Sequence, residues 1–272
     1  MWRGLYTAAS GMITEMKRTD TLANNLANAD TAGFKRDEAI NGEFEPMLIR
    51  RINDGTDKGD VTTFKQFHVG DNLPRVGTLG LGSYIDEIAT DHSQGPFQTT
   101  GNPLDLGISG DGYFAVDTPQ GVRYTRNGSF FRSNRGELQT VNGQRVRSTG
   151  GGPINIPGNA VMLNVTPEGE LSGIIDGERQ VFGRIALVSF GPDPRAVLKQ
   201  GDSLYYPQEG AQPQPATGII EQGVLEKSNT QVVSEMVSLI NNYRVYEAGS
   251  KAVTTQDTLL DKAVNDVGRI SG

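Results

Sequence analysis

The chain has no cysteine, only two histidines and a single tryptophan in 272 residues. The missing thiols exclude a disulfide framework, a cysteine-based zinc site, a thiol nucleophile and a cysteine-ligated iron–sulfur cluster together. His68 and His92 stand 24 positions apart, and neither has a second ligand at helical i+3 or i+4 spacing. No metal and no cofactor is therefore expected. Long apolar runs are also absent: no segment approaches the ~18 residues a membrane-spanning helix needs. The first residues reach Glu15, Lys17 and Arg18 without a continuous apolar stretch, so a cleaved signal peptide is not expected. Basic charge is in short supply too, with 25 Lys+Arg against 32 Asp+Glu and a net charge of −7.

What is abundant is glycine and proline, 35 and 13 residues. Together they make about 18% of the chain, against roughly 12% in ordinary proteins. They are distributed unevenly. Between Leu5 and Asn28 the only glycine is Gly11, and between Lys227 and Val267 the only glycine is Gly249. Within the first stretch, Leu5, Ala9, Met12, Met16, Thr19, Ala23 and Leu26 alternate steps of four and three, the seam of a paired helix with one threonine in it. This predicts a helix over about 4–28. In the last stretch Val232, Leu239, Tyr246, Val253, Leu260 and Val267 recur every seven residues, and Met236, Tyr243 and Val264 fill alternate positions that Ser250 and Asp257 interrupt. Ser228 and Gln231 have the spacing of a capping box just before it. Small residues such as Ala8, Ala9, Ala23 and Ala27 suit close helix approach. The seams fit a helical hairpin within one chain, and equally contacts between copies.

Residues 76–225 read as β structure. The apolar runs Leu104–Ile108, Tyr113–Val116, Val161–Val165 and Ile185–Phe190 are bounded by Asn127-Gly128, Asn142-Gly143, Gly158-Asn159 and Asp176-Gly177. Such pairs favour tight hairpins, and the spacing suits an antiparallel sandwich or barrel. The expected fold class is α+β: long N- and C-terminal helices, as a hairpin or coiled coil, carrying an inserted, mainly antiparallel β domain. The expected division is a helical domain from 1–35 plus 226–272, a connecting segment over 36–75, and a β-rich outer domain over 76–225. In the connecting segment Phe44, Met47, Leu48 and Ile49 suit one helical turn, and Asp54 to Asp60 a polar loop.

A search for chemistry returns little. Gly77 to Ser83 lacks the Gly-Lys-Ser/Thr ending of a phosphate loop and reads as turn glycines. Ser109-Gly110-Asp111-Gly112-Tyr113-Phe114 is not a nucleophile elbow and reads as a hairpin. Carboxylates are scattered without a motif, so no catalytic residue is assigned and the chain is not expected to be an enzyme. The rival of a different class is an OB-like nucleic-acid-binding protein. Arg123, Arg126, Arg132, Arg135, Arg145 and Arg147 are interleaved with Tyr124, Phe130 and Phe131. The acidic total opposes it, and no nucleic acid partner is expected.

The ends carry more specific signals. Leu22-Ala23-Asn24-Asn25-Leu26-Ala27-Asn28-Ala29-Asp30-Thr31-Ala32-Gly33-Phe34-Lys35-Arg36 resembles the N-terminal signature of bacterial flagellar rod and hook proteins, as does Arg3 to Met12. Gly223 to Asn229, then Glu235-Met236-Val237 and Tyr243 to Glu247, are similar to the same family's C-terminal region. In the body, Gly101 to Leu106, Gly110 to Phe114 and Tyr124 to Phe130 resemble the rod subfamily's motifs. Gly42 to Arg51 and Ala263 to Arg269 look more like the proximal-rod component, with the distal rod protein next.

The resemblance implies a structural subunit of the basal-body rod, outside the cytoplasmic membrane. It implies export without a cleaved signal peptide through the flagellar export apparatus, helical self-assembly into a drive shaft, and other copies and neighbouring rod proteins as partners. It places the assembly interface at Leu5, Ala9, Met12, Met16, Ala23, Asn24, Asn25, Leu26, Asn28, Thr31, Gly33 and Phe34 on the N-terminal side. On the C-terminal side it places Val232, Met236, Leu239, Tyr243, Tyr246, Val253, Leu260 and Val264.

Overall fold

The computed structural model describes residues 2–50, 75–191, 193 and 195–265. His68, the 54–60 loop, Val267 and the last residues of the 263–269 ending lie outside them. The chain forms two compact units, one of Met1–Thr21, Ala39–Ile88 and Ser238–Gly272, the other of Leu22–Glu38 and Ala89–Val237. Both expected helices are present. Helix α1 spans Trp2–Ala27 and α2 spans Val232–Asn265, roughly 39 and 51 Å at 1.5 Å per residue. Helix α2 begins after Gln231, whose carbonyl accepts the Glu235 N–H at 3.0 Å. Ser228 does not cap it: its hydroxyl accepts the Thr230 N–H at 3.1 Å and shapes the turn upstream.

In the first unit, Met47–Arg50 pairs antiparallel with Arg75–Leu79. Phe44, Met47, Leu48 and Ile49 are therefore not a helical turn. Pro46 lacks an N–H and biases Glu45 toward extended backbone, so the chain re-enters as a strand. Thr14 of α1 is buried and donates to the Ser83 carbonyl at 3.0 Å, which ties the helix to strand Ser83–Thr90. Gly249 of α2 stands against Met12: a Cβ there would lie 2.8 Å from Met12 Cγ, so the Met12 side chain would have to shift. Gly4 lies beside the movable amide end of Gln256.

The second unit holds the β body, and its assigned pairings are all antiparallel. A nine-stranded sheet is organised around Tyr113–Thr118, which pairs with Gly121–Thr125, Arg145–Val146 and Leu187–Ser189. That central strand is buried on both faces. Phe114 and Val116 enter the main core with Leu106, Ile108, Leu138 and Ile185, while Tyr113 and Ala115 join Tyr124, Val197 and Tyr205 on the opposite face. Successive side chains alternate across a strand, so one segment supplies both clusters. A three-stranded sheet, Val161–Val165, Glu170–Ile175 and Glu178–Arg184, completes the body.

The turn pairs divide by mechanism. Asp176-Gly177 has positive φ at both residues, 53° and 88°, and closes the hairpin in which Ile175 faces Glu178. Asn127-Gly128 has positive φ at neither, because Gly128 is there to admit the Leu106 carbonyl against its backbone. Ser109 to Phe114 is not a hairpin either. Leu106–Ser109 pairs with Ile219–Gln222 and the following strand belongs to the nine-stranded sheet, so glycines at 110 and 112 pass the chain between two sheets. No helix among the described residues is long and apolar enough to cross a membrane.

Candidate assembly interface

The stretch after α1 is anchored in the second unit by a buried ionic junction. Glu226 accepts from Lys35 Nζ at 2.5 Å and from the Gly95 N–H at 2.9 Å through Oε1, while its Oε2 faces Arg126 Nη1 at 3.4 Å. All three side chains are within 5% of fully buried. Lys35 also donates to the Ser93 carbonyl at 2.7 Å, and Arg126 Nη2 to the Gly110 carbonyl at 2.9 Å. The Arg126 guanidinium lies 5.2 Å from the Tyr113 ring centroid. Burial pushes the Lys35 ammonium below the usual lysine range, opposed by Glu226. It drives the Tyr113 phenol up to about 12.

Neighbouring residues extend the anchor. Asn25 clasps the Asp37 backbone in both directions, at 2.7 and 2.8 Å. Arg36 pairs with Asp91 at 3.0 Å, and Asn229 accepts the Arg36 N–H at 2.8 Å while donating to the Asp91 carbonyl at 2.9 Å. Burial alone would raise the Asp91 carboxyl; hydrogen bonds from Ser93 and the Arg36 guanidinium hold it below the usual range instead. Lys199 sits 4.1 Å over the Phe34 ring and pairs with Asp37 at 2.8 Å. Gly33 has φ +68°, donates to the Glu226 carbonyl at 2.8 Å, and a Cβ there would run into the Arg126–Asn127 peptide. Gly33→Ala should therefore lower stability by about 2 kcal/mol or more, measured by urea denaturation.

The N-terminal candidates thus separate. Asn25, Gly33 and Phe34 are buried in this junction, and Asn28 and Thr31 are half-buried beside it. Met16, Ala23 and Asn24 are exposed, whereas Leu5, Ala9, Met12 and Leu26 are half-buried. On α2, Leu239, Val253 and Leu260 are half-buried, while Val232, Met236, Tyr243, Tyr246 and Val264 are exposed. The alternate row of apolar residues read from the sequence is not the one turned inward. Its place is taken by Glu235, Asn242, Gly249 and Gln256, which share the seven-residue spacing and are buried or half-buried. On the opposite side of α2, Val233, Met236, Val237, Ile240 and Tyr243 make an apolar stripe, with exposures of 76, 48, 52, 51 and 65%.

Part of the arginine–aromatic set is used within the fold. Arg126 is in the junction, Arg145 pairs with Glu137 at 3.1 Å, Arg147 pairs with Asp117 at 3.0 Å, and Tyr124 and Phe130 are core. His92 is hydrogen-bonded to the Tyr113 hydroxyl at 2.9 Å and packs near Tyr205. No cluster of metal-ligating side chains occurs among the described residues.

An antiparallel β body, a buried charged junction that ties to it the segments following α1 and preceding α2, and an exposed apolar stripe on α2 suit a structural subunit better than a catalyst. The flagella basal body rod protein family model matches residues 5–35, the flagellar hook protein FlgE/F/G D1 domain model 107–173, and the flagellar basal body rod FlgEFG protein C-terminal model 221–266. The chain is 36% identical to the flagellar basal-body rod protein FlgG of Bacillus subtilis over 97% of its own length and 99% of the relative's. It is 34% identical to the flagellar basal-body rod protein FlgF of Caulobacter vibrioides over the full length of both. The FlgG of Buchnera aphidicola subsp. Acyrthosiphon pisum is 32% identical over 95% of this chain and 97% of the relative. The chain belongs to the flagellar basal-body rod family and is a structural subunit of the rod. Lys35, Arg126 and Glu226 fall one in each of the three matched segments, so the junction joins the family's N-terminal, body and C-terminal parts. The charged triad escaped the sequence reading. Its signal was a charge directly after a buried or half-buried residue in each of Phe34-Lys35, Thr125-Arg126 and Leu225-Glu226.

Proposed function

We propose that the chain polymerises helically with copies of itself and with neighbouring rod proteins, and that the resulting shaft transmits torque to the hook. The observation that carries this is the apolar stripe on α2, which lies on the side of the helix away from the one that meets Met12. A contact between two different faces propagates as an open helix when its rotation does not close a ring. The helices pair as an antiparallel hairpin in this proposal: Gly4 meets Gln256 and Met12 meets Gly249, so partner numbers fall as α1 advances. Segments 1–35 and 226–272 act as the axial layer and 76–225 as the outer one. Load on the helices reaches the body through Lys35, Glu226 and Arg126. The subunit leaves the cell through the flagellar export apparatus, and completes the burial of its helices only in the assembly.

Leu239→Asp or Leu260→Asp should abolish swimming in soft agar while the tyrosine-rich core, read by near-UV circular dichroism, keeps its signal; normal swimming by either variant contradicts the proposal. A strain lacking the gene should yield basal bodies with an incomplete rod under the electron microscope. The residues at 42–51 and 263–269 favour the proximal position, in which case the remnants also lack the distal rod. A proximal segment left standing would place the chain distally.

A further inference from the structure

The inward row of α2 contains the wrong chemistry for a seam optimised for strength. Asn242 is 5% exposed and its Nδ2 has no hydrogen-bond partner. One heptad away, past Gly249, the half-buried Gln256 has an unpartnered Oε1, and on α1 Glu15 has an unpartnered Oε2. Leucine at 242 and 256 would bury more apolar surface and strand no polar atom. Polar groups inside a helix pair reduce stability, but they penalise alternative alignments more, because a shifted register sets them against apolar residues. The risk of slippage is real here, since Leu239, Tyr246, Val253 and Leu260 repeat every seven residues and look alike to a partner displaced by one heptad.

We propose that Asn242 and Gln256, on either side of the Gly249–Met12 contact, are register-determining residues that hold the two terminal helices in a single alignment at a cost in stability. This rests on the pairing of α1 with α2 proposed above. The small residue between them fixes one point of closest approach, and the polar residues one heptad to each side make displacement in either direction unfavourable. A fixed register fixes which apolar residues α2 turns outward, and so gives every subunit the same face.

The absence of native cysteine allows a direct test by disulfide trapping in the full-length protein. Gly249→Cys is combined with Met12→Cys to report the observed register, and, with Met12→Ala so that no side chain opposes the 249 thiol, with Leu5→Cys or Thr19→Cys to report shifts of one heptad in each direction. With Asn242 and Gln256 intact, the 12–249 bridge should form at least tenfold faster than the 5–249 or 19–249 bridge. In the Asn242→Leu/Gln256→Leu background the three rates should converge. Without added cysteines, that double variant should raise the midpoint of the helix transition by about 5 °C. Equal trapping of all three pairs with the polar residues present would overturn the register role, as would undiminished preference for 12–249 in the leucine background. Failure of every pair to bridge would mean that the helices do not pair at all. If the leucine variant does not fold, as judged by far-UV circular dichroism, Asn242→Ala/Gln256→Ala must show the same convergence.

Discussion

Glu226→Ala should cost about 3–5 kcal/mol of stability, the penalty for removing one member of a buried ionic cluster. Its carboxylate is the shared partner of Lys35 and Arg126 and an acceptor for the Gly95 N–H. Without it, two cations stand together in a region almost closed to water, and neither can find a substitute for the lost charge. Total stabilities of domains run to about 5–15 kcal/mol, so the loss is a large share of what holds the body to the segments that enter and leave it. Glu226→Gln keeps an acceptor but not the charge, and should lie between wild type and alanine. Replacing all three by apolar residues of similar size should recover most of the loss, because no charge remains unpaired. Urea denaturation of the four proteins checks the order. Equal midpoints for Glu226→Ala and wild type would show that the junction does not carry the load assigned to it.

Ile240→Asp and Tyr243→Asp should behave in the opposite way. Both side chains are more than half exposed, so the isolated subunit should change in stability by no more than about 0.5 kcal/mol. Assembly should fail. Burying an aliphatic or aromatic side chain contributes about 1.5–3 kcal/mol, and the aspartate adds the desolvation of a charge in its place. The loss recurs at every subunit of a helical polymer, so one substitution per chain suffices to stop motility. Soft-agar swimming combined with thermal unfolding of the purified variant separates the two effects. A variant that is folded and swims normally would remove the stripe from the interface.

The contrast between these two sets of residues explains what was legible in the sequence. The helices were, because breakers are missing from both ends and nowhere else for comparable length. Strand Tyr113–Thr118 was visible as an apolar run for the same reason that it is buried on both faces. The inward face of α2 was not. Apolar Met236, Tyr243 and Val264 looked like seam, yet the structure exposes all three and buries Asn242, which the apolar repeat passes over. Apolarity alone does not decide which side of a helix the folded monomer buries. The Gly33-Phe34 motif was legible as a signature but not as a junction, because its partners, the Glu226 carbonyl and the Lys199 ammonium, lie far along the chain. Gly128 looked like a turn because close backbone approach and positive φ select the same residue.

The most direct measurement is electron microscopy of basal bodies from a strain whose chromosomal copy carries Ile240→Asp, with the variant protein shown to be produced and folded. A rod that stops short, as in the deletion strain, is the predicted result. A complete rod containing the variant subunit would contradict assembly through the outward face of α2.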